Sequence, residues 1–570
     1  MRMVKSFLLA GAAGLVAAGG AQAADLPVKA KPVEYVKVCS LYGEGFFYIP
    51  GTDTCIKIGG WVRYDQYFNS GGSGDPYITG SSGRNESFDS ADYQMRARTV
   101  MSFDARTQTE YGVLQSYYRA GFELTSNFVS QGSFRNERAF IRFAGFTFGK
   151  TQSYFDTWAH PWSYAHGYLG AGADTSGTGR NVAAFTATLG NGVVWTIAAE
   201  DATSRRGALW DAGTNGLSIG SFPGPNTWNG TGSASCGFGS VTSDQNIGNA
   251  AAPLSVSGSC ATGDYAAQSI PDLVSSLRVD QAWGSAQISG ALHQVRGNFY
   301  GNDTQSTIVA GPNAFTGIRP SDVWGWAVAG GIMLNLPWNP GDKFWVEGAY
   351  GMGTPCYVGI CQDDWNGNYV RFDGHNVANG LGLDGVFANR VGPAAASPAL
   401  GGTTNFSGIQ LPTVWDVAVA VEHYWAPTLR TSLFGSWTGW DAGNTNDPSS
   451  VNSTMCASPQ GPVRAGPNGN TTVNGVFIPA GGNTNYANGA FSGCSYSFQL
   501  WGVGSRTVWN PVKNLDIGVE VMWSKIHQDM DASQVVFNFG GAGARPAGLY
   551  APADEQTVSA LVRIQRNFWP

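Results

Sequence analysis

Basic side chains recur at every second position in the first quarter of the chain. Arg96 and Arg98, for example, alternate with apolar and small residues in the stretch 91–104. If each stretch alternates between two faces, the basic residues of neighbouring stretches fall on the face opposite the apolar one. They are Lys57, Arg63, Arg96, Arg98, Arg119, Arg138 and Arg142. On a soluble sheet they would form a solvated face, whereas on one wall of a water-filled lumen they would form a basic patch. Opposed charges across a lumen select solutes by size and dipole, so the chemistry indicated is electrostatic selection.

Acidic side chains with the same inward parity occur on later stretches, so the lumen is not expected to be purely basic. They are Glu200, Glu347, Asp416, Glu422, Asp516 and Glu520. Residues 157–180 are long enough to fold inward and narrow the lumen as a constriction loop. Its candidate polar facing groups are Asp156, His160, His166 and Asp174. We therefore predict weak ion selectivity and do not assign its sign.

Motifs that could support catalysis or metal binding lack the structural context that they need. The stretch Gly216–Gly220 matches a nucleophile elbow, but it lies in a Gly/Ser-rich loop without the strand and helix of that motif. The six histidines are scattered without zinc spacing, and a calcium site at residues 363–368 is less favoured than a solvated turn. We therefore predict no enzyme, no catalytic residue, no metal site and no cofactor.

Short β-strands are the elements expected to position these side chains. The 570 residues include 79 glycines, only 13% charged residues and no long helical periodicity, whereas a soluble chain of this length would normally show amphipathic helices. Counting period-two alternation predicts sixteen strands. The first eight are 53–68, 91–104, 111–123, 136–148, 151–156, 181–190, 192–200 and 272–283. The second eight are 285–297, 322–337, 343–353, 413–425, 428–442, 494–510, 514–530 and 555–569.

The connections between these strands alternate between two kinds. Tight turns such as Asn339–Asp342 and Asn510–Lys513 carry residues that set turn geometry. Long connections rich in Gly, Asn, Ser and Thr cover about 201–271, 354–412, 443–493 and 531–554. A closed sheet pairs every backbone group without an edge, as hydrocarbon requires. The pattern therefore predicts an all-β, 16-stranded antiparallel transmembrane β-barrel with short periplasmic turns, long extracellular loops and an inward-folded constriction loop.

The N-terminus and the cysteines indicate export. Residues 1–23 combine Arg2 and Lys5, a short apolar run and an Ala21-Gln22-Ala23 exit, which is the layout of a cleaved signal peptide. The eight cysteines then favour disulfides. Sequential pairing keeps each bridge within one segment and gives Cys39 with Cys55, Cys236 with Cys260, Cys356 with Cys361, and Cys456 with Cys494. Bridges between different loops remain an alternative. The chain accordingly divides into the signal peptide, a periplasmic segment 24–52 with a disulfide clamp, and a barrel over 53–570.

The charge balance argues against one class of partner. Removing Arg2 and Lys5 from the 33 basic residues leaves 31 against 40 acidic residues, a formal charge of −9 for the mature chain. A negative chain of this kind is not expected to bind nucleic acid.

Three long phrases resemble the alphaproteobacterial outer-membrane porin family. They are ADLPVKAKPVEYVKVCSLYGEGFFYIPGTDTCIKIGGWVRYD, RARTVMSFDARTQTEYG and RAFIRFAGFTFGKTQSYFD, and the likeness is dense across residues 24–156. The resemblance implies a trimeric general-diffusion porin whose inward third loop forms the eyelet. It places the basic side of the eyelet on Arg63, Arg96, Arg98, Arg119 and Arg142, and the acidic side on Asp156 and Asp174. Two departures are the unusually long loops and the end Phe568-Trp569-Pro570, because such barrels usually end on an aromatic residue.

The implied function is passive diffusion of small hydrophilic solutes and ions through an outer-membrane trimer. The implied partners are outer-membrane lipid and lipopolysaccharide, two further copies of the chain, and the barrel-assembly machinery. Two alternatives stay open: a substrate-specific channel with saturable binding, and an adhesin-like barrel with a plugged lumen.

Overall fold

A computed structural model describes most of the predicted strands and part of the loops between them. The described residues are 37–70, 93–125, 133–158, 161–164, 179–211, 265–266, 269–297, 319–360, 368–387, 407–447, 449–456, 463–464, 471–473, 476–478, 493–532, 535–539 and 548–568. The predicted signal peptide lies outside them. Within these ranges, no helix is long and apolar enough to cross a membrane.

Sixteen of the described strands form one antiparallel sheet. The first eight are β1 (Thr54–Phe68), β2 (Tyr93–Thr109), β3 (Gly112–Thr125), β4 (Ser133–Phe143), β5 (Phe146–Thr151), β6 (Arg180–Gly190), β7 (Val193–Glu200) and β8 (Asp272–Gln281). The second eight are β9 (Gly284–Val295), β10 (Val323–Asn335), β11 (Lys343–Met352), β12 (Thr413–Ala426), β13 (Leu429–Asp441), β14 (Phe498–Trp509), β15 (Leu515–Gln528) and β16 (Glu555–Asn567).

The sheet closes into a barrel, as predicted. Each strand pairs with its neighbours in the chain, and β16 pairs with β1 over the register Trp61↔Asn567 to Phe68↔Ala560. Closure leaves no strand edge unpaired, which is the condition for a sheet to cross hydrocarbon. The short turns lie at one end of the barrel and the long loops at the other; we call these the short-turn end and the long-loop end.

Alternation of side chains between the two faces follows the predicted parity. On β2, Tyr93 and Met95 are exposed on the outer face, whereas Gln94 and Arg96 are buried on the inner face. On β15, Val519 and Val521 point outward and Glu520 inward. Trp324 and Tyr64 are also exposed on the outer face, as expected for the aromatic girdles of such barrels.

The predicted strands 136–148 and 151–156 were wrong in their bounds. The structure instead turns at Ala144 and Gly145, whose φ angles are 50° and 84°, so that Phe143 pairs with Phe146. A two-residue hairpin of this hand matches the twist of the flanking strands. The run of apolar residues on both sides of Ala144 hid the turn, because alternation alone does not mark where a strand reverses.

The remaining elements belong to the N-terminal segment and to the long-loop end. Among the described residues, three short 3₁₀ helices span Ser40–Tyr42, Ala202–Arg205 and Pro355–Tyr357, and one α-helix spans Val451–Cys456. The minor strands are Phe47–Tyr48, Ala208–Asp211, Asn368–Asp373, Asn376–Leu381, Leu383–Phe387, Val463–Arg464, Thr471–Val473, Val476–Ile478, Val535–Phe539 and Gly548–Pro552. Most of them lie in loops that the sequence analysis left without structure.

Two of the predicted disulfides are present. Cys39 is bonded to Cys55, and Cys456 to Cys494. Cys356 is also disulfide-bonded, but its predicted partner Cys361, like the predicted pair Cys236 and Cys260, lies outside the described residues. The Cys39–Cys55 bridge and the strand Phe47–Tyr48, which pairs with the start of β1, hold residues 39–55, called here the clamp, against the short-turn end.

Removing the clamp disulfide should loosen the N-terminal segment without opening the barrel. A bridge that spans 16 residues is expected to stabilise this segment by roughly 3 kcal/mol. We expect limited proteolysis to cut residues 37–53 in Cys39→Ser with Cys55→Ser, while heat-dependent gel migration still reports a folded barrel. The matched control, Cys456→Ser with Cys494→Ser, should keep this segment protected. Unchanged protease resistance in the first variant would show that the bridge is dispensable.

Candidate functional site

The predicted basic residues on β2 lie on the inner face and are paired with carboxylates. The guanidinium of Arg96 lies 2.8 Å from Asp65 and 3.8 Å from Glu123. Arg98 pairs with Glu137 and lies 3.6 Å from Glu123. These pairs fix the guanidinium groups in place, so the charge of this wall is rigidly positioned.

The other predicted basic residues lie on neighbouring strands. Arg63 donates to Gln565 at 2.7 Å and lies over the Trp61 ring at 4.1 Å. Arg119 lies 2.7 Å from Glu137. Arg142 instead contacts Thr147 and the Phe140 ring, nearer the short-turn end. The structure therefore brings Arg63, Arg96, Arg98 and Arg119 together and leaves Arg142 apart.

Three carboxylates and two arginines of this wall, Arg135 and Arg563, were missed from the sequence, whereas Arg138 was predicted. Glu137 and Arg138 both point inward because β4 has a bulge opposite Arg119 and Ala120, which reverses the parity of the strand. Asp65 and Glu123 did have the right parity, since each lies two or four positions from a predicted arginine. We define the arginine wall as Arg63, Arg96, Arg98, Arg119, Arg135, Arg138 and Arg563, with Asp65, Glu123 and Glu137 among them.

This wall carries a surplus of positive charge. Its seven arginines face three carboxylates, and Asp65 is shared between Arg96 and Arg563, which approaches it to 2.6 Å. Each arginine keeps its positive charge, because guanidinium groups do not lose their protons in proteins. The wall can therefore impose a positive field on solutes that pass it.

The third loop, L3 (residues 152–179), enters the barrel interior, as its described residues show. The backbone N–H of Tyr154 donates to Glu200 at 2.9 Å, and the Ser153 hydroxyl donates to the same carboxylate at 2.7 Å. Gln287 and Ser289 on the inner face of β9 donate to backbone carbonyls of residues 154–156. L3 thus begins by following the inner wall from β7 towards β9.

L3 then reaches the opposite side of the barrel. Trp162 packs on Trp345 of β11 with ring centroids 5.3 Å apart. The backbone N–H of Tyr164 donates to Glu520 of β15 at 2.6 Å, and the Tyr164 ring lies 4.1 Å from the Arg563 guanidinium. The described part of L3 therefore crosses the interior and meets the arginine wall at Arg563.

Several predicted acidic residues of the later strands contact or lie beneath L3, whereas most arginines of the wall pair with carboxylates on it. Glu200 and Glu520 are buried and accept hydrogen bonds from L3. Glu347 and Asp416 are buried on β11 and β12. L3 packs closely beside them, because a side chain on Gly331 of the neighbouring strand β10 would collide with Trp158 of L3 and with Glu347. These carboxylates hold or underlie the loop, so the arginine wall faces the remaining space with less opposition than the sequence predicted.

Of the candidate polar residues of L3, the structure describes only Asp156. Asp156 lies in a buried ion pair with Arg205, 2.5 Å away, rather than on an open face. Asp174 lies outside the described residues, as do His160 and His166. Arg205 thus covers Asp156, and the assignment of Asp174 to the acidic side of the eyelet stays a prediction.

Part of the loop between β11 and β12 also fills the barrel interior at the long-loop end. We call residues 355–360 and 368–387 the inner lid. Its hairpin, Asn368–Asp373 paired with Asn376–Leu381, packs on inward-facing residues of β14 and β15: Tyr369 lies 5.8 Å from Phe498, and Gln528 donates to the Val377 carbonyl at 3.1 Å. The Trp440 indole of β13 donates to the Leu383 carbonyl at 2.9 Å. The lid therefore spans the interior above L3.

A buried polar network ties the inner lid to L3 and to the barrel. Arg205 bridges Asp156 of L3 and the Cys356 carbonyl of the lid, and Tyr357 donates to Asp272 of β8 at 2.6 Å. Burial and the Asp272 carboxylate raise the pKa of the Tyr357 phenol well above its usual value, so it stays a donor. Burial lowers the pKa of Arg205, but Asp156, Tyr357 and Glu200 together outweigh burial and leave the pKa above its usual value. The lid is thus a fixed structure and not a loose flap.

Cutting the anchor of L3 at β15 should make the channel unsteady. Removing a charged acceptor from a buried hydrogen bond costs enough to raise the detached population roughly tenfold or more. We expect Glu520→Ala to increase the open-channel current noise and the frequency of partial closures, because Tyr164 loses its acceptor. Single-channel recording at constant voltage measures both.

The control for this variant is Asp516→Asn, which removes an inward negative charge from the same strand but contacts Asn510 and Asn567 instead of L3. Equal noise in both variants would mean that lost charge, and not the lost anchor, is responsible.

Comparison with known proteins gives a family match over most of the chain. The family model described as "Porin subfamily" matches residues 25–547. Porin Omp2a of Brucella ovis is 38% identical over 225 residues, which cover 35% of this chain and 59% of that protein. Porin Omp2b of Brucella canis is 37% identical over 215 residues, 35% of this chain and 54% of that protein. The chain thus spans somewhat more than half the length of these relatives.

Two solved structures are similar over most of their length. The outer membrane channel DcaP of Acinetobacter baumannii has a TM-score of 0.49 at 14% identity, covering 91% of this chain and 99% of that one. An anion-selective porin from Comamonas acidovorans has a TM-score of 0.39 at 9% identity, covering 90% of this chain and 100% of that one.

Proposed function

The chain belongs to the porin family, and from this membership we propose that it forms a water-filled channel for passive diffusion of small hydrophilic solutes and ions. The barrel and the family place it in the outer membrane. Membership of the porin family supports a channel rather than an enzyme. The observation that carries the proposal is a closed barrel whose inner face bears fixed, surplus arginine charge beside an inward loop. Solutes passing between L3 and the arginine wall would be sorted by size and charge.

Planar-bilayer conductance of the purified protein tests this proposal. We expect discrete current steps that rise linearly with voltage and do not saturate with salt concentration. Block by one class of solute would favour the substrate-specific channel, whereas protein that inserts but does not conduct would overturn the proposal.

One observation favours a second candidate, the adhesin-like barrel with a plugged lumen. The inner lid buries Tyr357, Val377 and Val386 completely inside the long-loop end. A lid that closed the interior would leave the extracellular loops to bind partners while no solute passed. The same conductance experiment separates the two, because a plugged barrel gives no current steps.

We also propose that the protein assembles as a homotrimer surrounded by outer-membrane lipid and lipopolysaccharide, with the barrel-assembly machinery as a transient partner. The outer face of β2–β6 supports a subunit interface, since its exposed rings pack in pairs: Phe122 on Phe134 at 5.3 Å, and Phe146 on Phe185 at 5.0 Å. Aromatic residues are enriched in the cores of protein interfaces.

Light scattering of the detergent-solubilised protein should give the mass of three chains. We expect Phe122→Ser with Phe134→Ser to shift the protein towards monomers, since ring pairs of this kind contribute about 1 kcal/mol beyond their buried area. Val503→Ser, at an equally exposed outer position of β14, should leave the assembly unchanged. A native protein that is monomeric would refute the homotrimer.

A further inference from the structure

The clamp and the inner face of β1–β3 enclose a cavity at the periplasmic end of the barrel. Its volume is about 390 Å³, and its lining includes Tyr42 and Phe46 from the clamp with Trp61 and Tyr117 from the strands. This volume lies within the roughly 300–1,000 Å³ of small-molecule sites. Passive diffusion does not require such a cavity, so its lining calls for a separate account.

The charged residues of the cavity favour an anion. Lys57, Arg106 and Arg119 line it, against the single carboxylate of Asp104. Asp104 already has partners within the protein. It accepts hydrogen bonds from Nε and Nη2 of Arg106 at 3.0 and 2.7 Å and from the Gln115 amide at 2.9 Å. The Arg106 and Arg119 side chains keep 31% and 34% of their surface exposed, so each can still donate to a ligand.

The aromatic residues favour a flat ring on that anion. Arg106 lies over the Phe46 ring at 5.0 Å and over the Tyr42 ring at 5.7 Å, so cations and ring faces share one surface. Tyr117 stacks on Phe140 at 5.2 Å, which extends this surface along the inner wall. Gly59 has no side chain to fill the space beside Trp61. Rings of this kind bind planar groups by stacking, while the guanidinium groups hold a carboxylate.

We propose that this cavity is a binding site for a small aromatic carboxylate of the benzoate class. The ring would lie among Phe46, Trp61 and Tyr117, and the carboxylate would accept hydrogen bonds from Arg106 and Arg119. The disulfide between Cys39 and Cys55 fixes the clamp that supplies Tyr42 and Phe46. The site goes beyond the proposed function, since it would add a saturable step at the periplasmic mouth of an otherwise passive channel.

Binding of 4-fluorobenzoate to the detergent-solubilised protein, followed by ¹⁹F NMR line broadening, tests the proposal without requiring conduction. We expect saturable binding that is competed by benzoate, but neither by benzamide, which lacks the charge, nor by acetate, which lacks the ring. Arg106→Gln should weaken binding roughly tenfold, because it removes a charged donor and leaves Asp104 to repel the ligand.

Two further variants keep the result interpretable. Phe46→Leu keeps an apolar side chain in the clamp but should weaken binding by removing a ring, whereas Lys513→Gln, at an exposed periplasmic turn, should not change it. Non-saturable binding, equal competition by acetate, or equal loss in Lys513→Gln and Arg106→Gln would overturn the site. A channel that conducts potassium chloride but does not bind 4-fluorobenzoate would overturn this inference and leave the proposed function intact.

Discussion

Neutralising Arg96 and Arg98 together should shift the channel towards cations by roughly tenfold in the permeability ratio of potassium to chloride. A unit charge about 4 Å from an ion is worth about 1 kcal/mol in bulk water, or about fivefold in local ion concentration, and salt screens part of this. Both guanidinium groups belong to the arginine wall, and L3 engages the carboxylates of Glu200 and Glu520 on other strands. The reversal potential in a potassium chloride gradient measures the shift.

The double variant Arg96→Gln with Arg98→Gln should remain folded. Removing one partner of a buried ion pair can cost roughly 3–5 kcal/mol, but Asp65 keeps Arg563 and Glu137 keeps Arg119. Heat-dependent gel migration checks that the barrel is intact. The control is Arg96→Lys with Arg98→Lys, which retains both charges and should retain the native reversal potential. Strong cation selectivity in the native and the neutralised channels alike would exclude the arginine wall from ion selection.

The barrel could be predicted from the sequence because its signal is local. Each strand carries its own alternation, so Arg96 and Glu520 were assigned to the inner face without knowledge of any neighbour. The Cys39–Cys55 and Cys456–Cys494 bridges were predictable for the same reason, since each closes within one segment. What failed locally was backbone geometry: neither the turn at Ala144 nor the bulge at Glu137 interrupts the composition of its stretch.

The settings of the charges could not be predicted, because they depend on which segments meet in space. Parity placed Glu200 and Glu520 inside the barrel, but only the path of L3 shows that they accept its backbone N–H groups. Asp156 was expected to face the lumen, and Arg205 from the next loop covers it instead. A signal for the inner lid did exist, since apolar residues recur between Tyr369 and Phe387, but the surrounding Gly/Asn-rich loop obscured it.

Excising the hairpin of the inner lid should enlarge the channel. Asn368 and Leu381 are partners in the hairpin register, so a short Gly-Ser linker can replace residues 368–381 without straining the rest of the loop. The hairpin contacts Phe498 and Gln528 on the inner face, and its loss frees the space beside them. We expect single-channel conductance to rise roughly twofold, because a wider mouth lowers the resistance in series with the L3 constriction. Flux of neutral sugars of increasing size should show a higher exclusion limit.

The matched control excises residues 471–478 of another extracellular loop, where Thr471 and Ile478 are likewise register partners. Its conductance should stay at the native value, since loop length alone does not set the width of the mouth. If the lid variant conducts no better than this control, the resistance lies at the L3 constriction and the lid only orders the extracellular surface. If the native protein is silent and the lid variant conducts, the inner lid is a plug, and the adhesin-like alternative becomes the better account of the native barrel.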